Sequence, residues 1–171
     1  STLPKCTAGV AAFTYDRARL GPGIVHLGLG AFARAHIAAY TEDVLAQGDD
    51  AAPDPWGIVG VSPRRADQRD RLRPQDHLYT LIEKSRDGEK ARVIGCLTDV
   101  LVAAEDPTAV IAAMARAATK IVSLTITEKG YCHDPATGRL QQAHPDIRHD
   151  LEAPSVPRTA VGLIVAALDA R

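Results

Sequence analysis

The chain has 171 residues, 46% hydrophobic and 24% charged, values of an ordinary globular domain that exclude a disordered chain. Its 20 Lys and Arg against 21 Asp and Glu give a net charge of −1, so there is no basic footprint for nucleic acid. No apolar run reaches the roughly 18 residues of a membrane span, residues 1–10 lack the apolar centre of a signal peptide, and a cytoplasmic location is expected.

Aromatic residues make up only 4% of the chain, so its core must come from Ala, Val, Leu and Ile, as in layered α/β domains. The three cysteines, Cys6, Cys96 and Cys132, are too few and too scattered for a disulfide framework or a zinc site. They are expected to be reduced thiols, with Cys96 packed in a strand.

In chain order, Gly23-Ile-Val-His-Leu-Gly-Leu-Gly30 is an apolar, glycine-bounded run that predicts a buried strand. Residues 31–46 follow with Phe32, Ile37, Tyr40, Val44 and Leu45 near one face, which predicts an amphipathic helix stopping before Gly48. After the polar connection 49–55, residues 56–61 predict a second strand, apolar throughout like a parallel strand covered on both faces. Residues 63–73 carry five arginines and read as a short helix or loop. Residues 78–83 and 91–97 predict two strands joined at Asp87-Gly88, a β-hairpin inserted into the α/β pattern.

Asp106 followed by Pro107 predicts a helix start, continued by Val110, Ile111 and Met114. Residues 120–126 predict another buried strand, residues 134–138 a turn, and residues 145–151 a short helix. Residues 157–168 begin a last apolar helix. In a βαβ alternation such a helix leads into a further strand. The expectation is therefore an α/β fold with a mainly parallel sheet and an inserted β-hairpin, the chain reading as part of something longer.

Gly28-Leu-Gly30-Ala-Phe-Ala33 stands where the first strand hands over to the helix. Gly28 allows a sharp turn, Gly30 leaves room for a pyrophosphate to approach the backbone, and Ala33 keeps the helix close to the strand. The helix N-terminus, including Ala31 and Phe32, offers free N–H groups and a partial positive charge. Gly28, Gly30, Ala31 and Phe32 are thus candidate cofactor contacts.

A domain that prefers NAD usually places an acid near the end of its second strand. Here Ser62, Arg64 and Arg65 come first, and Asp67 is the first acid. An arginine there can receive a 2′-phosphate, stack on adenine, or simply face water, so the choice between NAD and NADP stays open.

Thr127, Glu128 and Lys129 follow a strand at its carboxyl end, where ligands of open α/β sheets bind. Thr127 is a candidate cofactor contact. Glu128 is a candidate proton relay, and Lys129 a candidate partner for a substrate carboxylate. His133, His144 and His149, with Asp134 and Asp146, match no compact metal pattern, and no metal is expected. His26 reads as a satisfied core histidine, while Arg34 and His36 lie near the glycine loop and either reach the cofactor or cover the sheet edge.

Taken together, Ile24-Val-His-Leu-Gly-Leu-Gly-Ala-Phe-Ala-Arg-Ala-His36, Trp56-Gly-Ile-Val-Gly-Val61, Leu78-Tyr-Thr-Leu81 and Ile121-Val-Ser-Leu-Thr-Ile-Thr-Glu128 resemble the mannitol dehydrogenase family of polyol dehydrogenases. So do Val93-Ile-Gly95, Gly130-Tyr131, His144-Pro-Asp-Ile-Arg-His-Asp-Leu151 and Pro157-Arg-Thr-Ala160. Ala33 departs from the histidine that many members carry.

The resemblance implies hydride exchange between NAD(P) and a sugar alcohol or sugar acid, without metal. It also implies that residues 1–171 are the Rossmann-like, doubly wound N-terminal domain of a longer enzyme, whose helical C-terminal domain supplies a lysine general base with asparagine and histidine helpers. None of the lysines here, Lys5, Lys84, Lys90, Lys120 or Lys129, matches that position, so this chain alone is expected to be inactive. Thr127-Glu-Lys-Gly-Tyr-Cys132 is more similar to fructuronate reductases, which tilts the expected substrate towards fructuronate or mannonate over mannitol or fructose. The alternative is a stand-alone nucleotide-binding or regulatory module.

Overall fold

The computed structural model describes residues 9–48 and 56–171; Cys6 and the connection 49–55 lie outside them. Chain order runs β1 (Val10–Ala11), β2 (Ile24–Leu27), a π-helical turn Ala33–Ile37 continuing into α1 (Ala38–Leu45), β3 (Ile58–Ser62) and α2 (Asp67–Leu72). It proceeds through β4 (Tyr79–Ser85), β5 (Gly88–Ile94), β6 (Leu97–Val102), α3 (Pro107–Ala115), β7 (Ile121–Leu124), α4 (Pro145–Glu152) and α5 (Ala160–Asp169).

The main sheet is parallel, in the order β6-β3-β2-β7. Alternate residues of each strand feed opposite faces. Ile24 and Ile58 join Ala38, Leu45, Leu72 and Ile94 on one side, under α1, α2 and the hairpin. Val25, Leu27, Val59 and Val61 join Val110, Met114, Leu163 and Ala167 on the other, under α3 and α5. The chain is thus doubly wound, as expected. It reverses direction between β2 and β7, the switch point beyond which such sheets bind ligands.

The inserted hairpin is present. β4 and β5 pair antiparallel from Tyr79–Ile94 to Ser85–Gly88, and β1 adds to β5 in parallel. Gly88 takes φ +121° at the turn.

Four expectations are corrected. Residues 91–97 do not form one strand: β5 ends at Ile94, and Leu97 opens β6, which belongs to the main sheet. A bulge at Thr98 interrupts the β3–β6 ladder there, and the Thr98 hydroxyl donates to the Ile58 carbonyl at 3.1 Å. Cys96 accordingly sits in the connection between two strands, although it is fully buried.

β7 is an edge strand rather than a buried one, with Ile121 45% and Val122 37% exposed. The helix after the glycine loop also turns a different face inward. Phe32, Tyr40 and Val44 are exposed, whereas Ala33, Ala38, Ala39, Glu42 and Leu45 are buried. Small residues let the helix lie close to the sheet, and the Glu42 carboxylate accepts the Gly95 and Cys96 amides, both at 2.9 Å.

Candidate functional site

At the end of β2 the chain must leave the sheet beside β7. Gly28 does so at φ +100°, where a Cβ would stand 2.6 Å from the Thr125 carbonyl oxygen. The Gly28 N–H donates to the Val61 carbonyl at 2.8 Å, tying the turn to β3. The Gly28 carbonyl accepts the Gly30 N–H at 2.6 Å and the Thr125 hydroxyl at 3.0 Å.

Gly30 differs from Gly28. A Cβ there would meet nothing nearer than the Gly28 carbonyl at 3.9 Å, so packing within the chain does not require a glycine at this position. The Gly30 carbonyl accepts the Arg34 N–H at 3.2 Å and opens the helix. The amides of Ala31, Phe32 and Ala33 are then first-turn donors with no intrahelical acceptor, at the positive end of the helix dipole.

Gly28, Gly30, Ser62, Arg64, Thr127 and Lys129 line one cavity of about 450 Å³, beyond the carboxyl ends of the strands. The structure therefore brings together most of the residues that the sequence singles out. Ala31 and Phe32 do not line it with side chains. Phe32 is exposed and packs edge-on against His36, with ring centroids 4.5 Å apart, leaving backbone amides as their contribution. Glu128 does not line the cavity either; its Oε1 lies 3.4 Å from His133 Nε2. Arg34 donates to the Leu29 carbonyl at 3.1 Å, and neither Arg34 nor His36 lines the cavity.

Sequence reasoning missed half of the cavity wall. Cys132, His144, Asp146, Arg158 and Thr159 line the same cavity as the glycine loop. The available signal was two further helix starts. His144 caps α4, its Nδ1 accepting the Asp146 N–H at 3.2 Å. Thr159 caps α5, its hydroxyl oxygen accepting the Gly162 N–H at 2.9 Å. The starts of the glycine-loop helix, α2, α4 and α5 thus border the cavity, together with Arg64, Arg65, Lys129 and Arg158. Asp67 and Asp146 are the acids in the wall, and Asp67 pairs with Arg65 at 2.5 Å. The excess of positive charge and helix dipoles suits an anionic ligand.

Cys132 lies in the left-handed region at φ 49°, and burial holds its thiol pKa above the ordinary value. His26 is 1% exposed, and both its ring nitrogens have partners. Burial holds its pKa below the ordinary value, so the ring is neutral near pH 7. Among the described residues no group of three or more His, Cys, Asp or Glu is placed to hold a metal, and no helix is long and apolar enough to cross a membrane.

Residues 22–171 match the family described as the Mannitol dehydrogenase Rossmann domain. A mannitol 2-dehydrogenase of Pyrenophora tritici-repentis is 46% identical over 164 residues, covering 95% of this chain and 28% of that protein. An uncharacterized oxidoreductase of Escherichia coli, YeiQ, is 47% identical over 165 residues, covering 95% of this chain and 33% of its own. Among solved structures, Pseudomonas fluorescens mannitol 2-dehydrogenase, in a ternary complex with NAD and D-mannitol, superposes with a TM-score of 0.87 at 41% identity. That match covers 96% of this chain and 34% of that one. The chain spans about a third of the length of these relatives.

Proposed function

Because the chain belongs to the mannitol dehydrogenase family through its Rossmann domain, we propose that it is the cofactor-binding part of an enzyme exchanging hydride between NAD and a polyol. The observation that carries this reading is the open space at Gly30, at the head of a helix with free first-turn amides, inside a cavity rich in positive charge. A pyrophosphate needs that close approach to the backbone and those donors. The cofactor, when bound, supplies the hydride chemistry. The chain's own residues hold the phosphates at the loop and orient the ring end towards Thr127 and Lys129.

Replacing Gly30 by Val tests this reading. The added Cβ enters open space, its nearest neighbour being the Gly28 carbonyl oxygen at 3.9 Å. NADH affinity, read by fluorescence titration, should fall at least about tenfold, the equivalent of 1.4 kcal/mol, while the fold is retained. Unchanged affinity overturns the site.

For the cofactor, NAD is favoured over NADP. Asp67 lies in the wall near the end of β3, where an acid holds the ribose hydroxyls, and it draws Arg65 into an ion pair. Arg64 supports NADP as the second reading, because it lines the same wall. Asp67→Ala should shift preference towards NADPH and Arg64→Ala away from it, measured as the ratio of the two dissociation constants.

For the substrate, a neutral polyol or ketose is favoured, because the relatives named for a substrate include mannitol 2-dehydrogenases. A sugar acid is the second reading, favoured by Lys129, a lining residue whose ammonium suits a carboxylate. In this reading residues 1–171 act as one dinucleotide-binding unit, and the remaining two thirds of the relatives' length corresponds to the part that supplies the general base.

A further inference from the structure

We propose that His26, Ser123 and Thr125 form a partly buried relay, centred on the buried His26 ring, that sets the position of the dinucleotide-binding loop, with Thr125 and His26 as positioning residues. The proposal rests on the cofactor reading above. His26 lies in β2, and Ser123 is its register partner in β7. Ser123 Oγ lies 2.8 Å from His26 Nδ1, and Thr125 Oγ1 lies 2.8 Å from His26 Nε2. Thr125 Oγ1 in turn stands 3.0 Å from the Gly28 carbonyl oxygen.

Counting donors fixes the direction of the relay. A carbonyl can only accept, so the single Thr125 hydroxyl proton goes to Gly28. Thr125 Oγ1 must then accept from the ring, which places the proton of the neutral imidazole on Nε2. Nδ1 is left as an acceptor, and the Ser123 hydroxyl donates to it. Every polar atom of the chain from Ser123 to Gly28 is thereby used.

The Gly28 carbonyl is the acceptor that the Gly30 N–H shares at 2.6 Å, so the relay ends on the atom that shapes the loop. Gly28 has no side chain to lock its own dihedrals, and its φ of +100° is held from outside. β3 holds its N–H and Thr125 holds its carbonyl. Releasing the carbonyl frees the peptide to rotate, and the first-turn amides lose their aim at the phosphates. His26 and Ser123 do this without lining the cavity, whereas Thr125 is one of its lining residues, so Ser123→Ala and the double variant separate the relay from a direct contact of Thr125.

The test measures NADH dissociation constants for the intact protein and four variants, with thermal melts alongside. Thr125→Val keeps shape but removes the hydroxyl, and should weaken NADH binding about tenfold, equal to 1.4 kcal/mol. Thr125→Ser keeps the hydroxyl and should restore affinity to within about twofold, a rescue that lost packing would not give. Ser123→Ala removes the far end and should weaken binding less.

His26→Asn combined with Thr125→Val should bind no more weakly than Thr125→Val alone, because both interrupt one path. Nitrogen NMR shifts of the ring should show Nε2 protonated and Nδ1 bare. Wild-type affinity in Thr125→Val, weaker binding by the double variant than by Thr125→Val, or an Nδ1-protonated ring each overturns the relay. If Thr125→Val fails to fold, an unchanged affinity in Ser123→Ala overturns it. Absence of NADH binding by the unaltered protein overturns the cofactor reading and the relay together.

Discussion

Gly28 and Gly30, two residues apart, are glycines for different reasons, and the difference is measurable. At Gly28 a methyl group would press on the Thr125 carbonyl at 2.6 Å and would need φ +100°. Gly28→Ala should therefore destabilise the fold, by about 1–3 kcal/mol for the backbone strain alone, seen as a lower melting temperature. At Gly30 nothing in the chain objects to a methyl group, so Gly30→Ala should melt near the wild type and show its effect only in cofactor affinity. The spacing of the two glycines was legible in the sequence, because a strand–glycine–helix order narrows what the residues can be doing. The rest of the wall was not. His144 and Arg158 reach the cavity only once α4 and α5 have packed, and no local pattern announces that.

At the scale of elements, two joints decide how well the site is held. The inserted hairpin is tied to the cofactor helix by the Tyr79 hydroxyl, which donates to the Arg34 carbonyl at 2.6 Å within the π-helical turn. A π turn leaves its carbonyls poorly matched to the α-helical ladder, and such turns cluster at functional sites. Burial raises the Tyr79 pKa well above the ordinary value, so the hydroxyl stays a donor at every working pH. Tyr79→Phe should cost about 1 kcal/mol of stability, the usual net value of one hydrogen bond, and should weaken NADH binding through the helix start.

The second joint is Asp150 in α4. Its carboxylate accepts the Arg158 N–H at 2.6 Å, the Thr159 N–H at 3.0 Å and the Thr159 hydroxyl at 2.6 Å, fixing the start of α5 beside the cavity. Burial pushes its pKa up, but bonds from Thr159, Arg158 and His149 outweigh that, and the net shift is downward. A carboxylate with a lowered folded pKa stabilises fully above its unfolded value of about 3.9, and loses that contribution as pH falls through the folded value. Asp150→Asn should therefore lower the melting temperature at pH 7, and the gap to wild type should close progressively below about pH 4. Convergence at neutral pH instead would mean that the bonds are not formed.

The elements themselves were partly legible. Strands β2 and β3 and the start of α3 at Asp106 were readable, since Asp106 Oδ1 does accept the Ala109 N–H at 2.8 Å. β6 was hidden because Thr98 and Asp99 interrupt its apolar pattern at a bulge, where one residue falls out of register with β3. The inward face of the cofactor helix was misread because alanine buries well but signals weakly. Phe32, Tyr40 and Val44 looked like a core stripe and proved exposed.

At the scale of the whole molecule, the sheet order β6-β3-β2-β7 puts the switch point between β2 and β7, and the cavity opens there. Binding and chemistry separate at this scale. Phosphate recognition needs only the loop, the helix start and the cations, all of which the chain contains. Hydride removal from an alcohol carbon also needs a base positioned on the hydroxyl proton and a site closed to water. The carboxylate first expected to relay that proton, Glu128, lies against His133 outside the cavity, and β7 leaves its edge open.

The chain spans about a third of the length of its dehydrogenase relatives, and under the proposed function the general base comes from outside it. The 171-residue chain should therefore bind NADH yet give no steady-state NADH production from NAD and mannitol at any pH. Joining this chain to the remaining two thirds of a dehydrogenase relative should give turnover without a large change in NADH affinity. Sustained turnover by the chain alone would place the base within it, with Lys129 the first residue to replace.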